Sequence, residues 1–455
     1  MPDITQQNAF PVITNTILAV FGTILLTVYI ILKSHKPTSA YKLRGCRRLG
    51  LPTTKTNLAD EFNPKYTAGV PESSIDDQGR PSWRVKALFT YPIKSCRGIE
   101  LESADIVSTG FECDRMFCFA EADETGPEGK TEWVARTLRN KGYNKLALVR
   151  PEIWAPDPSV DGYSLELEEV KLRGVIVVHF PRVGLNGLHD VVLQVGMYVG
   201  LLSREESFTV PFQPPLDSSP TTPVKIWKDT PLAYDYGAYI PPSFHRFISS
   251  DSGIGETPAN QGKRLTLLRM SSSHTRDIYR NAPRKDVLGF QPTTGFADAY
   301  PLHILSLSSV RDVNEHCKKD IPLLSIRRFR ANVIIQGPGK FEEDSWKRIR
   351  FSRSPSSLGN KDEGLVLHTC TRTIRCKLPN VDPDTAHRHR NEPDRALKSY
   401  RRIDKGDLTN ACLGMQGVPN SLTGRIQVGD GIEVLERGEH CYIKMLKVGE
   451  VVEGV

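Results

Sequence analysis

Cys376 stands in Arg375-Cys376-Lys377-Leu378-Pro379-Asn380-Val381-Asp382-Pro383-Asp384-Thr385, a thiol between two cations followed by a stiff acidic turn. Flanking positive charge favours the thiolate, the form that acts as nucleophile or soft-metal ligand. Asp382 and Asp384 could work as paired carboxylates in acid–base chemistry. Asp-Pro-Asp-Thr is, however, a turn sequence in its own right, since Asp bonds its own backbone and Pro fixes φ. The turn is the better reading. A zinc site can be drawn from Cys370, Cys376, His387 and His389, but the spacing matches no structural zinc pattern.

Three further segments carry chemistry: Tyr91-Pro92-Ile93-Lys94-Ser95-Cys96-Arg97-Gly98, Asp114-Arg115-Met116-Phe117 and Arg328-Phe329-Arg330-Ala331-Asn332. Lys94, Ser95, Arg115, Arg330, Asn332 and Arg375 supply cations beside hydroxyl and amide groups. Such a set suits an anionic ligand, and the planar fork of Arg suits phosphate. Taken singly, each of the cations is an ordinary surface charge.

Short β-type runs must position these residues: Val85–Tyr91, Ile99–Ile106, Arg115–Ala120, Lys145–Arg150, Tyr163–Val170, Gly174–Phe180 and Val191–Val195. Turns rich in Gly, Pro and Asp separate them, the pattern of a small barrel or sandwich closed by Val224–Asp229. Asn186 to Gly200 reads as strands of an insertion spanning about residues 170–216. A helical pattern covers Ser243–Ser249, and a second β-rich half opens at Arg264. There Pro301–Leu307 passes into a helix running to Cys317. Asn332–Gln336 and Leu365–His368 read as strands, Arg395–Arg401 as a helix, and Gly424 to Val434 as a hairpin turned by Gly-Asp-Gly. The fold class is mainly β with some α.

At 455 residues, with 39% hydrophobic residues, the chain can build two or three domains. Its net charge of +7 is scattered, which gives no footprint for nucleic acid. Nine cysteines at irregular spacing, with no Cys-x-x-Cys, indicate a reducing compartment and mostly buried thiols. From Ile4 to Leu32 there is no charged residue, and Val12 to Leu32 is long enough to cross the roughly 30 Å core of a bilayer. Lys33, Lys36, Lys42, Arg44, Arg47 and Arg48 follow it, which places the C-terminal body in the cytosol. The expected organisation is a transmembrane signal anchor (1–35), a linker (36–81), a β-barrel-like domain (82–240) and a second β-rich domain (260–440).

The four segments, in this order, resemble the MOSC family together with its N-terminal β-barrel domain, over roughly residues 83–437, and within that family the amidoxime-reducing branch. The resemblance implies that the 260–440 domain is the MOSC domain and that it binds molybdenum cofactor, an anionic pterin dithiolene. Cys376 then matches the metal-ligating and catalytic cysteine, while Lys94, Ser95, Arg115, Arg330, Asn332, Arg375 and Asp382 fall on cofactor-binding positions. The implied activity is reduction of small N-hydroxylated substrates. Electrons would come from cytochrome b5 and NADH-cytochrome b5 reductase, and the implied location is the mitochondrial outer membrane, with the endoplasmic reticulum as alternative. A sulfur-transferring protein using a Cys376 persulfide and a non-catalytic cofactor carrier are the rival readings. Ala386, Ile374 and Ala299 depart from the family pattern, which expects Gly at the first position and hydroxyls at the other two.

Overall fold

The computed structural model describes residues 43–124, 131–184, 187–214, 220–250, 264–352 and 364–444, with Ala19, Gly22, Thr23, Leu26 and Tyr29 as isolated helical positions before them. The expected membrane span otherwise lies outside the described residues. Among the described residues, no helix is long and apolar enough to cross a membrane.

Two strongly curved sheets dominate. The larger has eight strands in the order Val333–Gln336, Leu302–Ser306, Ala411–Pro419, Leu365–Arg375, Trp346–Ser352, Gly431–Arg437, Arg84–Thr90 and Ile99–Leu101. Val333–Gln336 also pairs with Arg84–Thr90, so seven of the strands close on themselves. One neighbouring pair, Leu302–Ser306 with Val333–Gln336, is parallel. A parallel pair needs a crossover, and the helix Leu307–Cys317 provides it. The smaller sheet is a closed five-stranded barrel of Thr221–Lys225, Leu232–Asp235, Leu265–Met270, Phe117–Asp123 and Glu132–Ala135.

Alternation explains why these segments are strands. Phe117 and Phe119 face the main core, while Cys118 and Ala120 face the core inside the small barrel. Arg84–Thr90 also divides Val85 and Leu88 from Ala87 and Phe89, which enter two different cores, but there a β-bulge opposite Ile334 and Ile335 breaks the alternation between Val85 and Ala87. Burial on both faces produces nearly continuous apolar runs. The sheets also exchange strands across the expected boundaries. Arg84–Thr90, from the 82–240 span, completes the large sheet, and Leu265–Met270, from the 260–440 span, completes the small barrel.

Several expectations need correction. The described part of the 36–81 linker is a packed strap. Cys46–Arg48 pairs with Trp154–Pro156, Leu58 and Tyr66 are buried, and Glu61 accepts from Ser325 Oγ at 2.8 Å and Ile326 N at 2.9 Å. Single anchor residues hold it, so no periodicity announces it. Val191–Val195 lies in a helix, Leu188–Tyr198, which links the strands Val175–Pro181 and Glu205–Pro211 of a four-stranded outer sheet. Asn144–Leu148 is a 3-10 turn, and no strand forms over Tyr163–Val170. Gly429 has a φ of 94° and makes the expected turn. Its two arms nevertheless separate, Gly424–Gln427 joining Ser103–Val107 and Gly431–Arg437 joining the large sheet.

Candidate functional site

A cavity of about 420 Å³ opens at the ends of strands from both sheets, and Lys94, Ser95, Arg115, Arg330, Asn332, Arg375 and Cys376 all line it. Backbone geometry directs them there. Ser95, Arg115 and Arg330 have φ of 71°, 46° and 57°, in the left-handed region that non-glycine residues seldom enter. Trp227, also on the lining, has a φ of 59°. Strained conformations of this kind cluster where surrounding structure over-determines a site. Arg330 caps the 3-10 turn Ile326–Phe329 in the left-handed conformation, and its Nη1 donates to the Cys96 carbonyl at 2.6 Å. Arg375 and Thr373 end the long strand Leu365–Arg375, whose register slips between Arg372 and Ile374, the irregularity that re-aims side chains at a sheet rim.

The electrostatics are lopsided. Lys94, Arg115, Arg139, Arg280, Arg330 and Arg375 face Asp298 and Asp407 as the lining carboxylates. Lys94 Nζ donates to the Phe296 carbonyl at 2.7 Å and to Asp298 Oδ1 at 2.5 Å. Burial lowers the Lys94 ammonium, and Asp298 offsets this. Burial alone would raise Asp298, but Lys94 outweighs it and holds the carboxyl well below its usual range. Asp298 stays 51% exposed toward the opening and also accepts from Trp227 Nε1 at 3.3 Å. The Arg139 guanidinium stacks 3.9 Å over the Trp227 ring. Burial pushes Arg330 down to about 10, which leaves it charged at neutral pH. His303 is held well below its ordinary value by burial, then by Arg375 and Arg115, and is neutral.

The donor set fits an anionic cofactor. Arg330 Nη2, Arg375 Nε and Thr373 Oγ1 are buried polar atoms on this lining with no partner in the protein. Leaving such atoms unpaired is costly, so a ligand with several acceptor oxygens and nitrogens would repay the site. Ser95 Oγ accepts from Leu138 N at 3.2 Å, which leaves its hydrogen for another acceptor. Cys376 is the one cysteine on the lining and is half-buried. Burial pushes the thiols of Cys317, Cys370 and Cys412 up to about 12, which suits them to packing.

Two expected cofactor residues have other duties. Asn332 lines the cavity, but its Oδ1 accepts from Arg115 Nη1 at 2.9 Å and His303 N at 3.2 Å, and its Nδ2 donates to the Phe89 carbonyl at 3.1 Å. It orients Arg115. Asp382 is not on the lining. Its Oδ1 accepts from the backbone of Asp384 and Thr385 at 2.9 and 3.0 Å, and its Oδ2 takes Arg328 at 2.6 Å. Asp382 therefore builds the turn. Ala386 follows it with a φ of 59°, a conformation that Gly would enter without strain. Ile374 and Ala299 do line the cavity. Among the described residues, no group of three or more His, Cys, Asp or Glu side chains could hold a metal, so Cys370, Cys376, His387 and His389 do not assemble a zinc site.

Sequence reasoning did not single out Asp298, His303, Arg139, Trp227 or Thr373. Asp298 is the neighbour of Ala299, whereas Arg139 and Trp227 belong to no motif and meet only through the fold. A larger cavity of about 670 Å³ lies beside the first and shares Arg330. Its cations are mostly spoken for, since Arg327 and Arg97 hold Asp384, Arg328 holds Asp382 and Arg150 holds Glu152. Lys94, Ser95, Arg115, Asn332, Arg375 and Cys376 line the smaller one alone, whereas Tyr91, Arg97, Gly98, Arg328 and Asp384 of the same segments line the larger.

Residues 291–433 match the model of the MOSC domain, and residues 82–169 match that of the MOSC N-terminal beta barrel domain. The chain is 35% identical over 321 residues to mitochondrial amidoxime reducing component 2 of Rattus norvegicus, covering 70% of this chain and 73% of that protein. It is 32% identical over 154 residues to mitochondrial amidoxime-reducing component 1 of Mus musculus, covering 33% and 41%. It is 30% identical over 405 residues to molybdenum cofactor sulfurase of Oryza sativa subsp. japonica, covering 84% of this chain and 40% of that one. The matched stretches thus span less than half of the mouse and rice proteins.

Proposed function

The chain belongs to the MOSC-domain family, carrying both the MOSC domain and its N-terminal β-barrel, and from that premise we propose a molybdenum-cofactor oxidoreductase that reduces small N-oxygenated substrates. One observation carries the reading. Four separate segments converge on one cavity where Cys376 is the lone cysteine and buried guanidinium atoms lack protein partners.

Cys376 would ligate the metal, and Arg115, Arg330 and Arg375 would hold the anionic parts of the pterin. Bound there, the cofactor supplies two-electron redox chemistry; the protein supplies ligation, orientation and charge. Lys94 is fixed by Asp298, so its charge is presented at one place and not on a swinging arm. Neutral His303 adds no charge to the cavity floor. Electrons would arrive from a cytochrome b5-type chain. An N-terminal anchor in the outer mitochondrial membrane would raise the local concentration of partners in the same bilayer.

The wide coverage of this chain by the rice sulfurase supports a second reading, sulfur transfer through a Cys376 persulfide. Metal analysis separates the two. Full-length protein from a cofactor-competent host is expected to carry about one molybdenum per chain. It should reduce an N-hydroxylated amidine with an artificial electron donor, at a rate about 10²-fold or more above Cys376→Ser. A folded wild-type protein without molybdenum, but with a persulfide on Cys376, would overturn the reductase in favour of sulfur transfer.

A further inference from the structure

Arg115 and Arg330 reach the cavity from corners 215 residues apart, and one side chain touches both. The Tyr91 ring centroid lies 4.5 Å from the Arg115 guanidinium carbon and 4.3 Å from that of Arg330. Its backbone fixes the first corner. Tyr91 N donates to Asp114 Oδ1 at 2.8 Å, and its carbonyl accepts from Arg115 N at 2.8 Å. Its hydroxyl fixes the second, donating to the Ala331 carbonyl at 3.3 Å, one residue after Arg330. Both corners are left-handed, and both need such outside support.

The ring itself is confined. Phe89 stacks on it with centroids 6.3 Å apart, and Gly98 lies so close that a Cβ there would sit 2.6 Å from Tyr91 Cε1. The glycine of the Lys94–Gly98 motif is therefore a matter of space beside Tyr91. Two guanidiniums packed on one site repel each other. Arg115 has Asp114 at 2.6 Å, whereas Arg330 has no carboxylate in ion-pair range among the described residues. The electron-rich ring face offsets that repulsion without neutralising either charge. Arg330 Nη2 thus remains unpartnered at the cavity.

We propose that Tyr91 is a positioning residue, a ring clamp that aims Arg115 and Arg330 together at a phosphate-type anion in the cavity. The clamp rests on the reading of this cavity as an anion-binding cofactor site, but its test does not require the cofactor. Full-length protein made in a host lacking the pterin is titrated calorimetrically with inorganic pyrophosphate at several salt concentrations. Tyr91→Phe keeps the ring and should bind within about threefold of wild type, since only one long hydrogen bond is lost. Tyr91→Leu should bind at least about tenfold more weakly, with a shallower salt dependence because fewer cations meet the anion. Gly98→Ala, which keeps the ring and crowds it, should weaken binding in the same direction. A purely structural role would lower the melting temperature of Tyr91→Leu but leave the affinity of its folded fraction unchanged, and that result overturns the clamp. If Tyr91→Leu does not fold, Gly98→Ala at wild-type affinity overturns it and Gly98→Ala weakened beside an intact Tyr91→Phe supports it. Wild-type protein that fails to bind pyrophosphate also overturns it. Wild type that binds pyrophosphate yet takes up no molybdenum in a competent host overturns the cofactor reading and leaves the clamp standing.

Discussion

Asn332 shows how a residue can belong to a site without touching what the site binds. Its amide oxygen accepts from Arg115 and His303 N, and its amide nitrogen donates to the Phe89 carbonyl. Asn332→Leu would strand three buried groups and is expected to cost roughly 2–4 kcal/mol in denaturant unfolding, while loosening Arg115. A second buried polar residue sets a pH dependence far from the cavity. Glu343 is 0% exposed, accepts from Ser309 Oγ at 2.8 Å, and is pushed up to about 7 by burial and then by Asp344. In the unfolded chain this carboxyl ionises near 4.5, whereas in the folded protein it keeps its proton until about 7. The folded state therefore loses stability as pH rises through that window. Glu343→Gln should match wild type at pH 4 and exceed it by roughly 3 kcal/mol at pH 8, as read from paired urea melts. Equal stabilities at pH 8 would show that Glu343 ionises freely where it stands.

At the scale of elements, the helix Leu188–Tyr198 gives the sharpest contrast between periods. A strand would put Val191, Leu193 and Val195 on one face. The helix instead leaves Val191 and Val195 58% and 56% exposed and buries Leu193 to 2%. Val191→Lys and Val195→Lys should each cost under about 0.5 kcal/mol, while Leu193→Ala should cost roughly 2–4. A strand would make all three costly, so thermal melts of the three variants distinguish the periods. The segment misleads because valines favour strands and its helix is apolar on two faces. Strands written as short apolar runs between turn residues, such as Val175–Pro181 and Leu265–Met270, were legible within a residue or two. Partnership was not. The Gly-Asp-Gly turn at 429–431 was readable, but the sheet each arm would join depends on residues hundreds of positions away. The site divides in the same way. Cys376, Lys94, Arg115, Arg330 and Arg375 stand in motifs and could be listed from the sequence. The Trp227–Arg139 stack and the Asp298 anchor for Lys94 are products of tertiary contact. Asp382 builds the turn that its Asp-Pro-Asp-Thr sequence favoured, its carboxylate taken up by the turn's backbone and by Arg328.

For the whole molecule, the exchanged strands make the two sheets one cooperative object. Arg84–Thr90 fills the gap between Val333–Gln336 and Gly431–Arg437, and Leu265–Met270 lies between Phe117–Asp123 and Leu232–Asp235. Pieces divided between residues 250 and 264 would each lack a central strand and expose its buried neighbours. Expressed alone, both are expected to be insoluble or unfolded by circular dichroism; co-expressed, they should copurify. Two soluble, independently melting halves would contradict this. The exchange also bears on inheritance. A break between about residues 124 and 264 splits both sheets at once, and one between residues 91 and 116 still takes Arg84–Thr90 from the large sheet, so the large sheet could not be passed on without the barrel inside its span. Recombination would have to move the block from about residue 82 to 437 whole, whatever precedes or follows it. The rice relative carries its match to 84% of this chain within 40% of its own length, as such a block would appear in a longer protein.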